Sequence, residues 1–233
     1  MDSLYIVMPA YNEEACIEEV ILGWKQVLPD YGGKIVVADS GSTDRTHTIL
    51  EKLHKQYPEI IEVISDTGKY HGPKLIALYK YAIGRGADYI FQTDSDGQTN
   101  PDEFKNFWNK RNEFDAILGK RSVRGDGRTR KYVENVLCTI LKIIFGIQVP
   151  DANAPFRLMK ADLIKKYITR FYDDYNLPNV MLTTFFVYYN EHVVFRDISF
   201  KPRRSGINSI NIIKIVKIGV KAIGDFVVFK KNM

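Results

Sequence analysis

Short apolar, β-branched runs alternate with helix-period segments through the first half of this chain, and that alternation constrains the fold more than any other feature. Leu4–Met8, Ile35–Ala38, Ile60–Ile64 and Tyr89–Phe91 read as strands, separated by amphipathic stretches near 13–28, 44–56 and 73–84. A strand–helix–strand rhythm predicts an α/β fold with a mostly parallel central sheet flanked by helices. Turn chemistry marks the helix starts: Asn12 before Glu13 and Glu14, Ser42-Thr43-Asp44 before the second helix, and Asn100-Pro101-Asp102-Glu103 before a third. In open parallel sheets ligands bind beyond the carboxyl ends of the strands, so these polar junctions are where chemistry is expected.

After residue 118 the pattern changes to a basic stretch, Lys120–Lys131, an apolar helix-like run, Val133–Ile147, and then Asp151–Met159. Residues 179–190 read as helix and Val193–Phe200 as a last strand. The expected division is one domain over 1–209, in halves 1–118 and 119–209, followed by a tail, 210–233. With 233 residues the chain is long enough to bury a core without disulfides or a structural metal. Its two cysteines, Cys16 and Cys138, and four histidines show no metal-ligand spacing, and no secretory signal precedes the first strand, so a reduced cytosolic protein is the expectation. No run approaches the ~18 apolar residues of a membrane-spanning helix.

Charge is unevenly placed. Residues 201–233 hold eight lysines and arginines against Asp225 alone, a local charge of +7 in a chain whose total is +5, which leaves the first 200 residues at −2. A basic tail on a near-neutral body points to a local anionic partner. On a helical wheel Lys214, Lys217 and Lys221 share a face with Gly224 and Asp225, mostly opposite Ile212, Ile213, Val216, Val220, Ile223, Phe226 and Val227. That is the pattern of a basic amphipathic helix lying in an anionic membrane interface. An ordinary helix packed on the domain gives the same periodicity. Nucleic acid is disfavoured as the partner, because the tail interleaves lysines with large aliphatics and lacks an aromatic stacking array.

The first strand runs into Pro9-Ala10-Tyr11-Asn12-Glu13-Glu14 rather than a glycine fingerprint, and Gly68–Lys74 lacks P-loop spacing, so neither a dinucleotide turn nor a Walker loop is present. Two acidic clusters follow at strand ends: Asp39-Ser40-Gly41-Ser42-Thr43-Asp44 and Asp94-Ser95-Asp96-Gly97-Gln98. Asp94 and Asp96, two apart at the end of an extended segment, can project to one side, with Gln98 adding a neutral oxygen. Two carboxylates of this kind suit Mg²⁺ or Mn²⁺ shared with substrate phosphates. An EF-hand is a poorer reading, since the twelfth position from Asp94 is Lys105.

In the order and spacing of these segments, together with Gly119-Lys120-Arg121, Asp151–Leu158 and Arg203–Ser209, the chain resembles the inverting family 2 glycosyltransferases of GT-A (Rossmann-like) fold, and more closely their polyprenyl-phosphate sugar synthases. The resemblance spans about residues 4–209. It implies transfer of a hexose from a UDP- or GDP-sugar to a polyprenyl phosphate, undecaprenyl or dolichyl, with inversion, by an enzyme peripheral on the cytoplasmic face of a membrane. Residues 1–118 would be the nucleotide-sugar half and 119–209 the acceptor half. Pro9, Tyr11, Glu13, Asp39, Ser42, Lys74, Asp94, Ser95 and Asp96 then resemble the donor pocket, and Asp94, Asp96 and Gln98 the metal triad. Arg121 and Arg130 resemble the pair that grips the acceptor phosphate, and Arg203 an arginine that closes on the donor; with Asp96, these three are the expected catalytic residues. A membrane-protein partner and a homo-oligomer are both left open. The chain departs from the family pattern at Ser40, where a second aspartate is usual, and at Lys69–Lys74, where relatives often carry a glycine-rich stretch.

A phosphate acceptor makes chemical sense of the arginines. A hydroxyl must lose a proton as it attacks, whereas a phosphate monoester, with a second pKa near ~6, is already anionic at neutral pH and needs positioning instead of a base. The alternative, transfer to a saccharide hydroxyl in capsule or cell-wall glycan synthesis, would require a base, for which Asp151, Asp173 and Asp174 stand as options.

Overall fold

The computed structural model describes residues 2–28, 32–124, 127–202 and 212–233. Seven strands form one sheet: β1 (Leu4–Ala10), β2 (Lys34–Asp39), β3 (Ile61–Ile64), β4 (Tyr89–Thr93), β5 (Ala116–Arg124), β6 (Phe156–Lys160) and β7 (Val193–Phe200). Their order is β3-β2-β1-β4-β6-β5-β7. The first four pair in parallel, β6 runs antiparallel between β4 and β5, and β7 is again parallel to β5. The expected mostly parallel sheet is therefore present, with one reversed strand.

Both faces of the central strands β1, β2 and β4 are covered, which is why these read as nearly continuous apolar runs. From β1, Leu4, Ile6 and Met8 point into a core under α1 (Ile17–Val27), α2 (Thr46–Gln56) and α4 (Phe104–Trp108), while Tyr5 and Val7 point to the opposite core. That second core is built with α3 (His71–Gly84), α5 (Arg128–Phe145), α6 (Ala161–Ile168), α7 (Pro178–Tyr188) and α8 (Ile212–Lys231). The amphipathic period of α1 places Ile17, Ile21 and Trp24 inward, and Trp24 meets Phe91 with ring centroids 5.0 Å apart. Gly146, at φ 74°, ends α5 in the left-handed conformation that a side chain resists.

The structure corrects several element boundaries. Asn12 does not cap a helix: it sits at φ 54° in a loop, and α1 begins only at Ile17. The Asn100 signal opens a 3-10 turn, Pro101–Glu103, that leads into the short α4. Lys120–Lys131 is not one basic segment, since Lys120–Arg124 ends β5 and Arg128–Lys131 opens α5. Sequence analysis did not identify β5, β6 or α6. In the tail, α8 packs its Ala222 and Phe226 into the core, so the apolar face is partly consumed by the domain.

Candidate active site

The loops after β1 and β2 are stitched together by polar groups. Asn12 Oδ1 accepts from the Thr43 N–H at 2.8 Å, Ser42 Oγ accepts from the Asn12 N–H at 3.1 Å, and Thr46 Oγ1 accepts from the Glu13 N–H at 2.8 Å. Asp39, buried at the end of β2, accepts from Ser42 Oγ at 2.5 Å and faces His47 Nδ1 at 3.2 Å. Ser40, at the position where the family pattern usually has a second aspartate, exchanges a 3.0 Å contact with Thr67 Oγ1 and so joins the loop ahead of α3.

Lys74 enters this pocket from the first turn of α3. Its Nζ donates to Ala10 O at 2.5 Å, lies 5.3 Å from the Tyr11 ring centre, and is 1% exposed. Burial lowers its pKa to about 8, with Asp39 opposing that shift. Ser95 Oγ donates to Pro9 O at 2.8 Å, closing the β4 loop onto β1. Pro9, Tyr11, Glu13, Asp39, Ser42, Lys74 and Ser95 are thus drawn together at the carboxyl ends of adjacent strands.

At the end of β4 the Asp94 carboxylate, 27% exposed, accepts at Oδ1 from Gln92 Nε2 at 3.2 Å and faces His71 Nε2 at 3.3 Å. Asp96 Oδ1 accepts from the Gln98 N–H at 3.1 Å. Gln98 is buried, and its Nε2 donates to Lys201 O at 2.7 Å, so its carboxamide ties the β4 loop to the end of β7. Among the described residues no three His, Cys, Asp or Glu side chains converge as a complete metal cage.

The β5 side of the sheet holds a buried ionic cluster. Arg121 donates from Nε and Nη2 to the two Asp151 oxygens, each at 2.8 Å, and from Nη2 to Glu134 Oε2 at 3.3 Å, with its side chain 8% exposed. Glu134 Oε1 accepts from the Ala152 N–H at 2.8 Å, fixing the 151–154 loop on α5. Arg130 lies half-buried in the first turn of α5, and Arg203 lies outside the described residues. Asp173 and Asp174 are exposed, and Asp173 pairs with Lys80 at 2.5 Å. Glu134, Gln92, His71, Arg157 and Asn179 were not singled out from sequence. Arg157 and Asn179 did carry a signal there: each is a polar residue inside an apolar run, and each is buried.

The profile of glycosyl transferase family 2 matches residues 5–168, most of the chain. The protein belongs to that family. The undecaprenyl-phosphate 4-deoxy-4-formamido-L-arabinose transferase of Shewanella sediminis is 26% identical over 170 residues, covering 71% of this chain and 50% of that protein. The poly(ribitol-phosphate) beta-glucosyltransferase of Bacillus spizizenii is 30% identical over 169 residues, covering 69% of this chain and 25% of its own length. The family 2 chain described here thus spans half or less of these curated relatives. Among solved structures, glucosyl-3-phosphoglycerate synthase from Mycobacterium tuberculosis, crystallised with Mn²⁺, UDP-glucose and phosphoglyceric acid, superposes with a TM-score of 0.71 at 16% identity, over 100% of this chain and 80% of that one. The seven-stranded sheet with its flanking helices is the GT-A fold.

Proposed function

We propose that this glycosyltransferase moves a hexose from a UDP- or GDP-sugar to a polyprenyl phosphate, with inversion, at a membrane surface. The observation that carries the reading is the placement of Asp94 and Asp96 at the carboxyl end of β4, beside the loops that bury Asp39 and Lys74. A hard divalent cation, Mg²⁺ or Mn²⁺, fits this donor set: one or two carboxylates are the protein's usual share, with the remaining ligands coming from diphosphate and water. Asp94 and Asp96 would hold it. Gln98 is the weaker third ligand, since its amide nitrogen is engaged on Lys201. Bound there, the cation supplies Lewis acidity to the departing nucleotide.

Lys74 and the α3 N-terminus add positive potential on the donor side. For the acceptor we assign Arg130 and Arg121, the 3.3 Å contact of Arg121 to Glu134 being the one a phosphate can replace. Asp151 is poorly suited as a base, because both its oxygens already accept from Arg121. The undecaprenyl-phosphate relative supports a lipid phosphate acceptor, and the poly(ribitol-phosphate) relative supports the alternative, a saccharide hydroxyl. No helix among the described residues is long and apolar enough to cross a membrane, and residues 210–233 are proposed to hold the enzyme peripherally on the cytoplasmic face.

The deciding experiment is transfer of radiolabel from UDP- and GDP-hexoses with Mn²⁺ and undecaprenyl phosphate, followed by organic extraction. Label in the organic phase, removed by EDTA and by Asp96→Ala, is the expected result. Label absent from lipid but transferred to a glycan acceptor would replace this reading with the hydroxyl alternative.

A further inference from the structure

A buried chain of hydrogen bonds runs from Asp94 through the sheet into α7. Gln92 Nε2 donates to Asp94 Oδ1 at 3.2 Å, Asn179 Nδ2 donates to Gln92 Oε1 at 2.9 Å, and the Tyr79 hydroxyl donates to Asn179 Oδ1 at 2.7 Å. Every donor direction is forced by the terminal carboxylate. An ionised Asp94 only accepts, so Gln92 must turn its NH₂ towards it and its oxygen away. That oxygen then requires the NH₂ of Asn179, whose own oxygen requires the tyrosine O–H. Burial keeps that O–H protonated, raising the Tyr79 pKa well above the ordinary phenol value.

The far end is pinned as firmly. Arg157, on β6 directly opposite Gln92 in the antiparallel register, donates from Nη1 to the Asn179 main-chain oxygen at 2.8 Å and from Nη2 to Thr183 Oγ1. It is fully buried, its Nε has no partner, and burial lowers its pKa to about 10. Gln92 and Asn179 have essentially no solvent contact, so the chain has no water to substitute for a missing link. An apolar set of side chains would fill this core without the cost of burying amides and a guanidinium.

From this we infer that Gln92 and Asn179 are positioning residues that fix the orientation of the Asp94 carboxylate for a divalent cation, with Arg157 as the post that holds Asn179. The inference rests on the metal assignment proposed above. Anchoring one oxygen of a ligating carboxylate fixes its rotation, and losing such an outer partner typically lowers metal affinity by about 10–100-fold.

The test is direct Mn²⁺ binding, read from the EPR signal of free Mn²⁺, on the full chain and on Asp94→Asn, Gln92→Met, Asn179→Asp and Tyr79→Phe. Affinity is a property of each folded molecule, so a variant that merely folds less well loses sites without changing its dissociation constant. Gln92→Met and Asn179→Asp should each raise that constant about tenfold or more. Asn179→Asp is informative because it keeps the shape but turns an acceptor towards Gln92. Tyr79→Phe, which removes one hydroxyl at the end of the chain, should give a smaller rise in the same direction and guards against misfolding of the others. Wild-type affinity in folded Gln92→Met and Tyr79→Phe, with binding lost in Asp94→Asn, would overturn the positioning role and leave the metal site standing. Wild-type affinity in Asp94→Asn would overturn both.

Discussion

Lys74 shows what a single buried residue does to the proposed donor pocket. Its ammonium keeps one short bond to Ala10 O and otherwise faces protein, so charge is disfavoured and its pKa falls from 10.5 to about 8. The unfolded chain holds this proton up to about 10.5, hence between those values the unfolded state binds more protons, and stability rises with pH. From pH 8 to 9, below the range in which the half-buried Cys138 thiol and the buried tyrosines oppose it, the urea midpoint of the wild type should climb relative to that of Lys74→Met. A wild-type profile parallel to that of Lys74→Met over this range would mean that Lys74 is better solvated than the geometry shows. Arg121 makes the opposite case. It sits between Asp151 and Glu134, so Arg121→Ala leaves two facing carboxylates without their cation and should cost about 3–5 kcal/mol in urea unfolding. A loss under 1 kcal/mol, with acceptor use abolished, would make Arg121 purely a substrate ligand. Arg121 stands out in the sequence because the Gly119-Lys120-Arg121 stretch resembles the segment that grips the acceptor phosphate in family 2 glycosyltransferases. The sequence does not show that Asp151, thirty positions on, accepts from the Nε–Nη2 edge of the guanidinium, since that contact depends on how β5 and the 151–154 loop fold together.

At the scale of elements, β1, β2 and β4 are legible because they are buried almost throughout and read as apolar runs, and β3 because Glu62 alone interrupts Ile60–Ile64. The outer sheet is not. β5 carries Lys120, Arg121 and Ser122 at its end and so reads as a basic stretch, β6 is five residues long with Arg157 inside it, and α6 starts after Lys160 with no side-chain cap to announce it. The Lys69–Lys74 segment was legible as a departure from the family pattern but not as a packing joint. Gly72, in the first turn of α3, lies under the 175–176 backbone: a Cβ there would come within 2.5 Å of the Asn176 Cα. Backbone cannot yield as a side chain does, so Gly72→Ala should destabilise by about 1–3 kcal/mol. It should also weaken donor binding, because His71 and Lys74 flank it. Calorimetry with UDP- or GDP-sugar beside a thermal melt separates the two effects, and unchanged donor affinity would show that the joint supports the fold alone.

Across the whole molecule, α8 decides how the basic tail can be used. Sequence analysis reads residues 210–233 as an amphipathic helix whose apolar face either lies in a membrane interface or packs on the domain, and in the structure Ala222 and Phe226 are buried and Phe229 sets its edge against Phe171, Tyr175 and Phe185 at 5.2–5.9 Å. Two phenylalanines contribute about 3–6 kcal/mol by burial, against a usual total of about 5–15 kcal/mol for a domain. Deleting the helix would therefore damage the core together with any membrane contact, and loss of vesicle binding after truncation could not be assigned to either. The outward residues are better placed: Ile223 and Val227 are each 41% exposed, one turn apart, and Lys231, one turn on from Val227, is exposed beside them. A contact with an anionic bilayer would insert these aliphatics and set the lysine at headgroup level. Replacing Ile223, Val227 and Lys231 together by glutamate touches no buried partner of the domain, so Tm should stay within about 2 °C. Sedimentation with vesicles of mixed phosphatidylglycerol and phosphatidylcholine should fall sharply, while transfer to a short, soluble polyprenyl phosphate persists. Unchanged sedimentation with the fold intact would make α8 a cover for the second core, and would move the search for the membrane contact to other surfaces of the chain.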